Sequence, residues 1–199
     1  SLLDGKFLRP HPAHALTESP HVHLRQWAME NARYQFVTIE LLRWLLDFIG
    51  NRRAIEIGAG QGDLGHSLGI HMTDNYCQQT PFLLAYYAAL RHEPTNPPPE
   101  VENIDAIAAI QKYAPQVVIG SWITQKAYAD TDSSVGANLF GPEEFDILAA
   151  DSVEAYVHIG NWDSHKDKRI FKVKHREFKY PWLVSRAKDQ SKNSIWVWG

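Results

Sequence analysis

Glu56 and Asp74 bracket a run of glycines. The chain reads Ala54-Ile55-Glu56-Ile57-Gly58-Ala59-Gly60-Gln61-Gly62-Asp63-Leu64-Gly65, and the next apolar stretch ends on Asp74-Asn75. Glycine tolerates positive φ and lacks the Cβ that would hold a ligand away. Between a strand and a helix start, such a run turns backbone N–H groups toward a bound group. An acid at the carboxyl end of the following strand, here Asp74, is placed to accept both hydroxyls of a ribose. Strand, glycine turn and acid together predict a nucleoside-containing ligand outside the carboxyl ends of parallel strands.

The elements that must hold these residues follow from periodicity. Apolar residues from Trp27 to Ile49 recur near the helical spacing and predict one helix over 25–49, stopped at Gly50. Residues 54–58 and 69–74 predict strands, with a short helix over 63–68 between them. Helices are expected over 76–91, 107–113 and 142–150. The unbroken apolar run 116–120 predicts a buried parallel strand, and 153–159 another. Alternation over 169–174 predicts a half-exposed strand, followed by a last strand over 194–198. Strands alternating with helices mean an α/β sheet, closed by an antiparallel pair.

In this order the motifs resemble the class I S-adenosylmethionine-dependent methyltransferases. Glu56, Gly58, Ala59, Gly60 and Gly62 look like that family's first motif, and Asp74, with Asn75 beside it, like its ribose acid. Asp105-Ala106 looks like the pair that contacts adenine through a carboxylate and a backbone N–H. Val117 to Ser121-Trp122 looks like the fourth strand and the residues after it, where the methyl group faces its acceptor. The resemblance implies a Rossmann-like methyltransferase sheet, mostly parallel with a C-terminal antiparallel hairpin and helices on both faces. It implies an arm over 1–24, a helical extension over 25–53 and an S-adenosylmethionine-binding domain over 54–199. Tyr34 and Thr38 are expected to close over the methionine end of the cofactor.

The implied activity is methyl transfer to an acceptor the sequence does not name, with a small molecule favoured. Ser121-Trp122 stands where methyltransferases of nucleic-acid amino groups carry an Asp/Asn-Pro-Pro-aromatic tetrad, and no Cys follows the strand for attack on a pyrimidine ring. A base is needed only when the acceptor carries a proton, so no catalytic residue is assigned. Tyr128, His158 and His165 lie near later strand ends and read as structural first; Trp122 reads equally as substrate stack or core. Two alternatives stand beside this reading. One is a catalytically silent cofactor-binding module of the same fold. The other is an NAD-dependent oxidoreductase, because Gly60 to Gly65 also spells G-x-G-x-x-G. Against NAD, Asp74 comes sooner than the about 20 residues expected of its acid, Glu56 has no task, and the following helix is short.

Composition excludes other classes. With 44% apolar residues and 22% charged, the chain of 199 residues is not a disordered one. The single cysteine, Cys77, excludes an internal disulfide framework and suits a reducing cytoplasm. No apolar run reaches membrane-spanning length, and the first residues do not read as a secretion signal, so a cytoplasmic protein without membrane contact is expected. His11, His14, His21 and His23 have only Glu18 nearby and are read as polar arm residues; no metal is expected. Residues 160–199 hold ten Lys and Arg against four acids, whereas the preceding residues hold ten against nineteen. Lys172, Lys174, Arg176 and Lys179 are expected on one strand face. They are read as guards of a sheet edge in preference to a face for nucleic acid.

Overall fold

The structure is a computed structural model that describes residues 1–18, 20–127 and 140–199. Among these residues, seven strands form one sheet. They are β3 (Ala54–Ile57), β4 (His71–Asp74), β5 (Glu102–Asn103), β6 (Val117–Ser121), β7 (Ala155–Asn161), β8 (Arg176–Phe178) and β9 (Asn193–Trp198). A separate small hairpin pairs β1 (Leu3–Asp4) with β2 (Phe7–Leu8). The order across the main sheet is β5-β4-β3-β6-β7-β9-β8. The first five strands run parallel, whereas β9 is antiparallel to both β7 and β8. This is the expected mostly parallel α/β sheet with a reversed C-terminal hairpin. The chain leaves β3 toward β4 and β5, then crosses back to lay β6 on the other side of β3. The crevice between the ends of β3 and β6 is therefore the topological switch point, where such sheets bind ligands.

The unbroken apolar strands are buried on both faces. On one face Val117, Ile119, Val157, Ile159, Ile195 and Val197 meet Leu41 and Leu45 of α3 (Ile39–Ile49) and Leu64 and Leu68 of α4 (Asp63–Leu68). On the other, Val118, Tyr156, Trp196 and Trp198 meet Ala109 and Ile110 of α6 (Ala106–Tyr113) and Ile147 of α7 (Glu144–Ala149). Trp196 and Trp198 are thus core residues. Among the described residues no helix is long and apolar enough to cross a membrane.

Two expected elements are different. The helix expected over 25–49 is two helices, α2 (His21–Glu30) and α3. Asn31 ends α2, Ala32 takes φ +51°, and the Thr38 hydroxyl restarts the helix by accepting the Leu41 N–H at 3.1 Å. The intervening stretch is zipped to a distant segment: Phe36 N donates to Val184 O and Arg186 N to Tyr34 O, each at 2.9 Å. Residues 169–172 form a 3-10 turn, not a strand. Ile170 and Phe171 are neighbours in sequence, yet both pack into the aromatic core, which a period of two forbids. The Trp198 indole N–H also takes the Ile170 carbonyl at 3.2 Å. The edge strand is β8 instead, so Arg176 lies on it, Lys179 follows it, and Lys172 and Lys174 precede it.

Candidate functional site

The glycine turn follows β3 directly. Gly58 has φ +57°, and a Cβ there would lie 2.5 Å from Ile123 Cγ2, so only glycine fits between β3 and the residues after β6. The turn is tied by both acids of the motif. Glu56, 2% exposed, accepts the Gly65 N–H at 2.8 Å. Asp74 accepts Gly60 N–H on Oδ2 at 2.8 Å and Tyr76 N–H on Oδ1 at 2.7 Å. Each Asp74 oxygen keeps a second lone pair for another donor.

Two adjoining cavities open at this edge, of about 410 and 90 Å³. Gly58, Asp74 and Trp122 line both. Asn75, Asp105 and Ala106 line the smaller one together with Ile57, Leu83, Ile104 and Ile123, which makes it an apolar slot with an acid at its rim. Asp105 also caps α6, accepting the Ile107 N–H on Oδ1 at 2.8 Å. Glu56, Ala59, Gly60 and Ser121 line the larger, more polar cavity. Gly62 lines neither. Its φ of +76° starts α4, and a Cβ there would meet Val101 Cγ2 at 2.9 Å and Met72 Sδ at 3.0 Å, so its role is packing.

Burial decides the electrostatics of the two motif acids. Desolvation pushes Glu56 up to about 8, against the opposing pull of the Gly65 N–H. Asp74 is raised by the same cause, opposed by its bonds from Gly60 and Tyr76. Glu56 is therefore largely protonated at neutral pH and ready to lose that proton to a nearby positive charge.

Trp122 carries φ +58°, a left-handed conformation that is unusual for a bulky residue. Its N–H donates to Ile159 O at 2.8 Å, and its indole N–H to Gln35 Oε1 at 3.2 Å. The ring lies beside Tyr34 and edge-on to His165, at centroid distances of 6.0 and 5.3 Å. The strained backbone thereby aims one aromatic ring into the crevice between both cavities.

The rest of the wall comes from residues that sequence motifs did not single out. Arg33 meets Asp63 at 2.7 Å, with both side chains largely buried, and Asp63 also accepts the Leu8 N–H at 2.8 Å. Lys168 meets Glu144 at 2.7 Å and donates to Ile123 O at 3.1 Å, holding the segment that packs on Gly58. The Tyr156 hydroxyl donates to the same Glu144 oxygen at 2.7 Å. Burial lowers the proton affinity of Lys168, and Glu144 opposes that shift. Asp63 alone had a local signal, as the first residue of the predicted short helix.

Tyr34 lines the larger cavity, as does His165. Thr38 does not; it is fully buried as the cap of α3 and donates to Trp182 O at 3.1 Å. His158 lines neither cavity and stacks on Trp196 inside the core. Tyr128 lies outside the described residues. Among the described residues no group of three His, Cys, Asp or Glu is placed to hold a metal ion.

No protein-family model matches the chain, and no curated protein matches it. Among solved structures it is similar to a DNMT2 mutant from Spodoptera frugiperda, with a TM-score of 0.38 and 11% sequence identity. The match covers 73% of this chain and 49% of that one, so it spans about half of that structure.

Proposed function

We propose that the chain binds S-adenosylmethionine across the two cavities and transfers its methyl group to a small molecule in the larger one. The observation that carries this reading is the pair of cavities joined at Gly58, Asp74 and Trp122. The apolar slot suits a purine ring, with the Asp105 carboxylate at its rim for an exocyclic amine. Asp74, at the junction, has lone pairs left for ribose hydroxyls. The cavity beyond it presents Glu56, a buried carboxyl able to meet a positive charge.

When bound, the cofactor supplies an electrophilic methyl group on a sulfonium. The chain's own task is alignment, which supplies much of the rate of such a displacement. Gly58 admits the ligand where a Cβ would not fit, and Trp122 walls the junction. Tyr34, held by its hydroxyl contact with Tyr87 at 3.0 Å, lies across from Trp122 and restricts water. The NAD alternative is disfavoured by Gly62. In the dinucleotide pattern the second glycine admits the pyrophosphate, whereas Gly62 lines neither cavity and packs against Val101 and Met72.

Calorimetric titration with S-adenosylhomocysteine and, separately, with NAD tests this. We expect saturable binding of the first only, and about 2.7 kcal/mol of added stability at 100 times its dissociation constant. A folded sample that gives no heat and no melting shift with S-adenosylhomocysteine removes the reading.

A further inference from the structure

Three cations line the larger cavity: Arg33, Lys168 and Arg186. Two of them have carboxylate partners, Asp63 and Glu144. Arg186 has none within ion-pair distance among the described residues. Its guanidinium lies 3.4 Å above the centre of the Tyr34 ring, and its NH1 is sealed from solvent without a hydrogen-bond partner. A charged donor held dry and unpaired is costly. The fold nevertheless holds it firmly. Arg186 N donates to Tyr34 O at 2.9 Å, and the Ser185 hydroxyl beside it donates to Asn193 at 2.9 Å.

The surroundings are short of negative charge at this point. Arg25 also has a buried Nε without a partner. His92 is held below the ordinary imidazole range, first by burial and then by Arg186 and Arg25. Asp163, the acid on the opposite rim, is engaged by Lys192 at 2.8 Å. Position matters as well. The apolar slot lies on the β4 and β5 side of the switch point, whereas Arg186 arrives from the connection between β8 and β9, in the other half of the sheet.

We propose that the methyl acceptor is a small anionic molecule whose carboxylate or phosphate is gripped by the Arg186 guanidinium. The inference rests on the methyl-transfer reading above and adds the chemical class of the acceptor. The planar fork of a guanidinium matches both anions and is immobilised in advance by the Tyr34 ring and the backbone pairing. A neutral acceptor would leave the sealed donor unpaired, so the site discriminates by charge as well as by shape.

The test is calorimetric titration with phenyl phosphate, benzoate and benzyl alcohol at constant ionic strength, with and without bound S-adenosylhomocysteine. We expect at least one of the two anions to bind saturably and benzyl alcohol not to. Arg186→Met should weaken that anion about tenfold or more, with a melting temperature no lower than wild type, because it removes an unpaired buried charge. Arg186→Lys keeps the charge without the fork, should fall between, and carries the same comparison if Arg186→Met does not fold. Absence of binding by both anions, or equal affinity in the variants, overturns the proposal. A loss of S-adenosylhomocysteine affinity in Arg186→Met, with 5′-methylthioadenosine binding unchanged, also overturns it, since the guanidinium would then hold the cofactor's own carboxylate. The cofactor-free titration decides the anion site even if S-adenosylhomocysteine does not bind, so the two readings fail separately.

Discussion

The carboxylate of Asp74 accepts the backbone N–H of Gly60 at 2.8 Å, across the whole glycine turn. The acid expected to hold a ribose is therefore also the tie that shapes the loop around it. Asp74→Ala orphans two N–H groups, on Gly60 and Tyr76. We expect it to lose about 2–4 kcal/mol of folding stability even without ligand, together with affinity for S-adenosylhomocysteine. Urea unfolding of the ligand-free variant measures the first effect. A variant as stable as wild type would show that the tie contributes nothing to the loop.

Glu56 predicts a proton-linked binding event. Its folded pKa stands at about 8, raised by burial from an ordinary value of 4.5. A group with a raised pKa contributes stability that is full below its unfolded value and declines as pH rises through the folded one. We expect wild-type stability to fall between about pH 4.5 and 8 from this group, and Glu56→Gln to flatten that fall while keeping an acceptor for Gly65. A positively charged ligand draws the carboxyl toward its ionised form. Titration of S-adenosylmethionine at pH 7 in buffers of different ionisation enthalpy should show proton release in wild type and none in Glu56→Gln. Identical heats in all buffers would mean that no positive charge comes to rest near Glu56.

His158 acts in the opposite direction on pH. It is fully buried, neither ring nitrogen has a partner, and desolvation holds it well below the imidazole range. The unfolded chain binds this proton below about pH 6.5 while the folded chain refuses it, so stability is lost as pH falls. His158→Phe keeps the ring stacked on Trp196 and removes the titration. Between pH 7 and 5 we expect wild type to lose about 2 kcal/mol more than the variant. His165, pushed down to about 3 by burial, continues the same loss in both proteins, so the difference isolates His158. Parallel urea midpoints at the two pH values measure it, and equal losses would place a solvated or charged imidazole at 158.

Much of the sheet is legible locally. Gly58 and Gly60 announce a turn because the conformation they require is a property of the residue itself. The run Val117-Val118-Ile119 announces a strand buried on both faces because no polar residue interrupts it. The motif acids are legible for the same reason: Glu56 and Asp74 sit at fixed offsets from the turn they tie. The interruption at 31–38 is not, because the apolar spacing runs on from Trp27 to Leu45 while the backbone between the helices is recruited by Val184 and Arg186.

The sequence by itself determined the α/β order, the glycine turn and the two acids that serve it, because each depends on residues within one or two elements. Only the tertiary structure decided that Ile170 and Phe171 would leave strand geometry for the aromatic core, that Gly62 would pack away from the cavities, and that Trp122 would take a left-handed backbone at their junction. It also decided which charges are satisfied. Arg33 finds Asp63, Lys168 finds Glu144, and Arg186 finds only the face of Tyr34. Pairing in a low-dielectric interior depends on which side chains the packed elements bring within a few ångströms, and for Lys168, Glu144, Arg186 and Tyr34 that neighbourhood is assembled from distant parts of the chain.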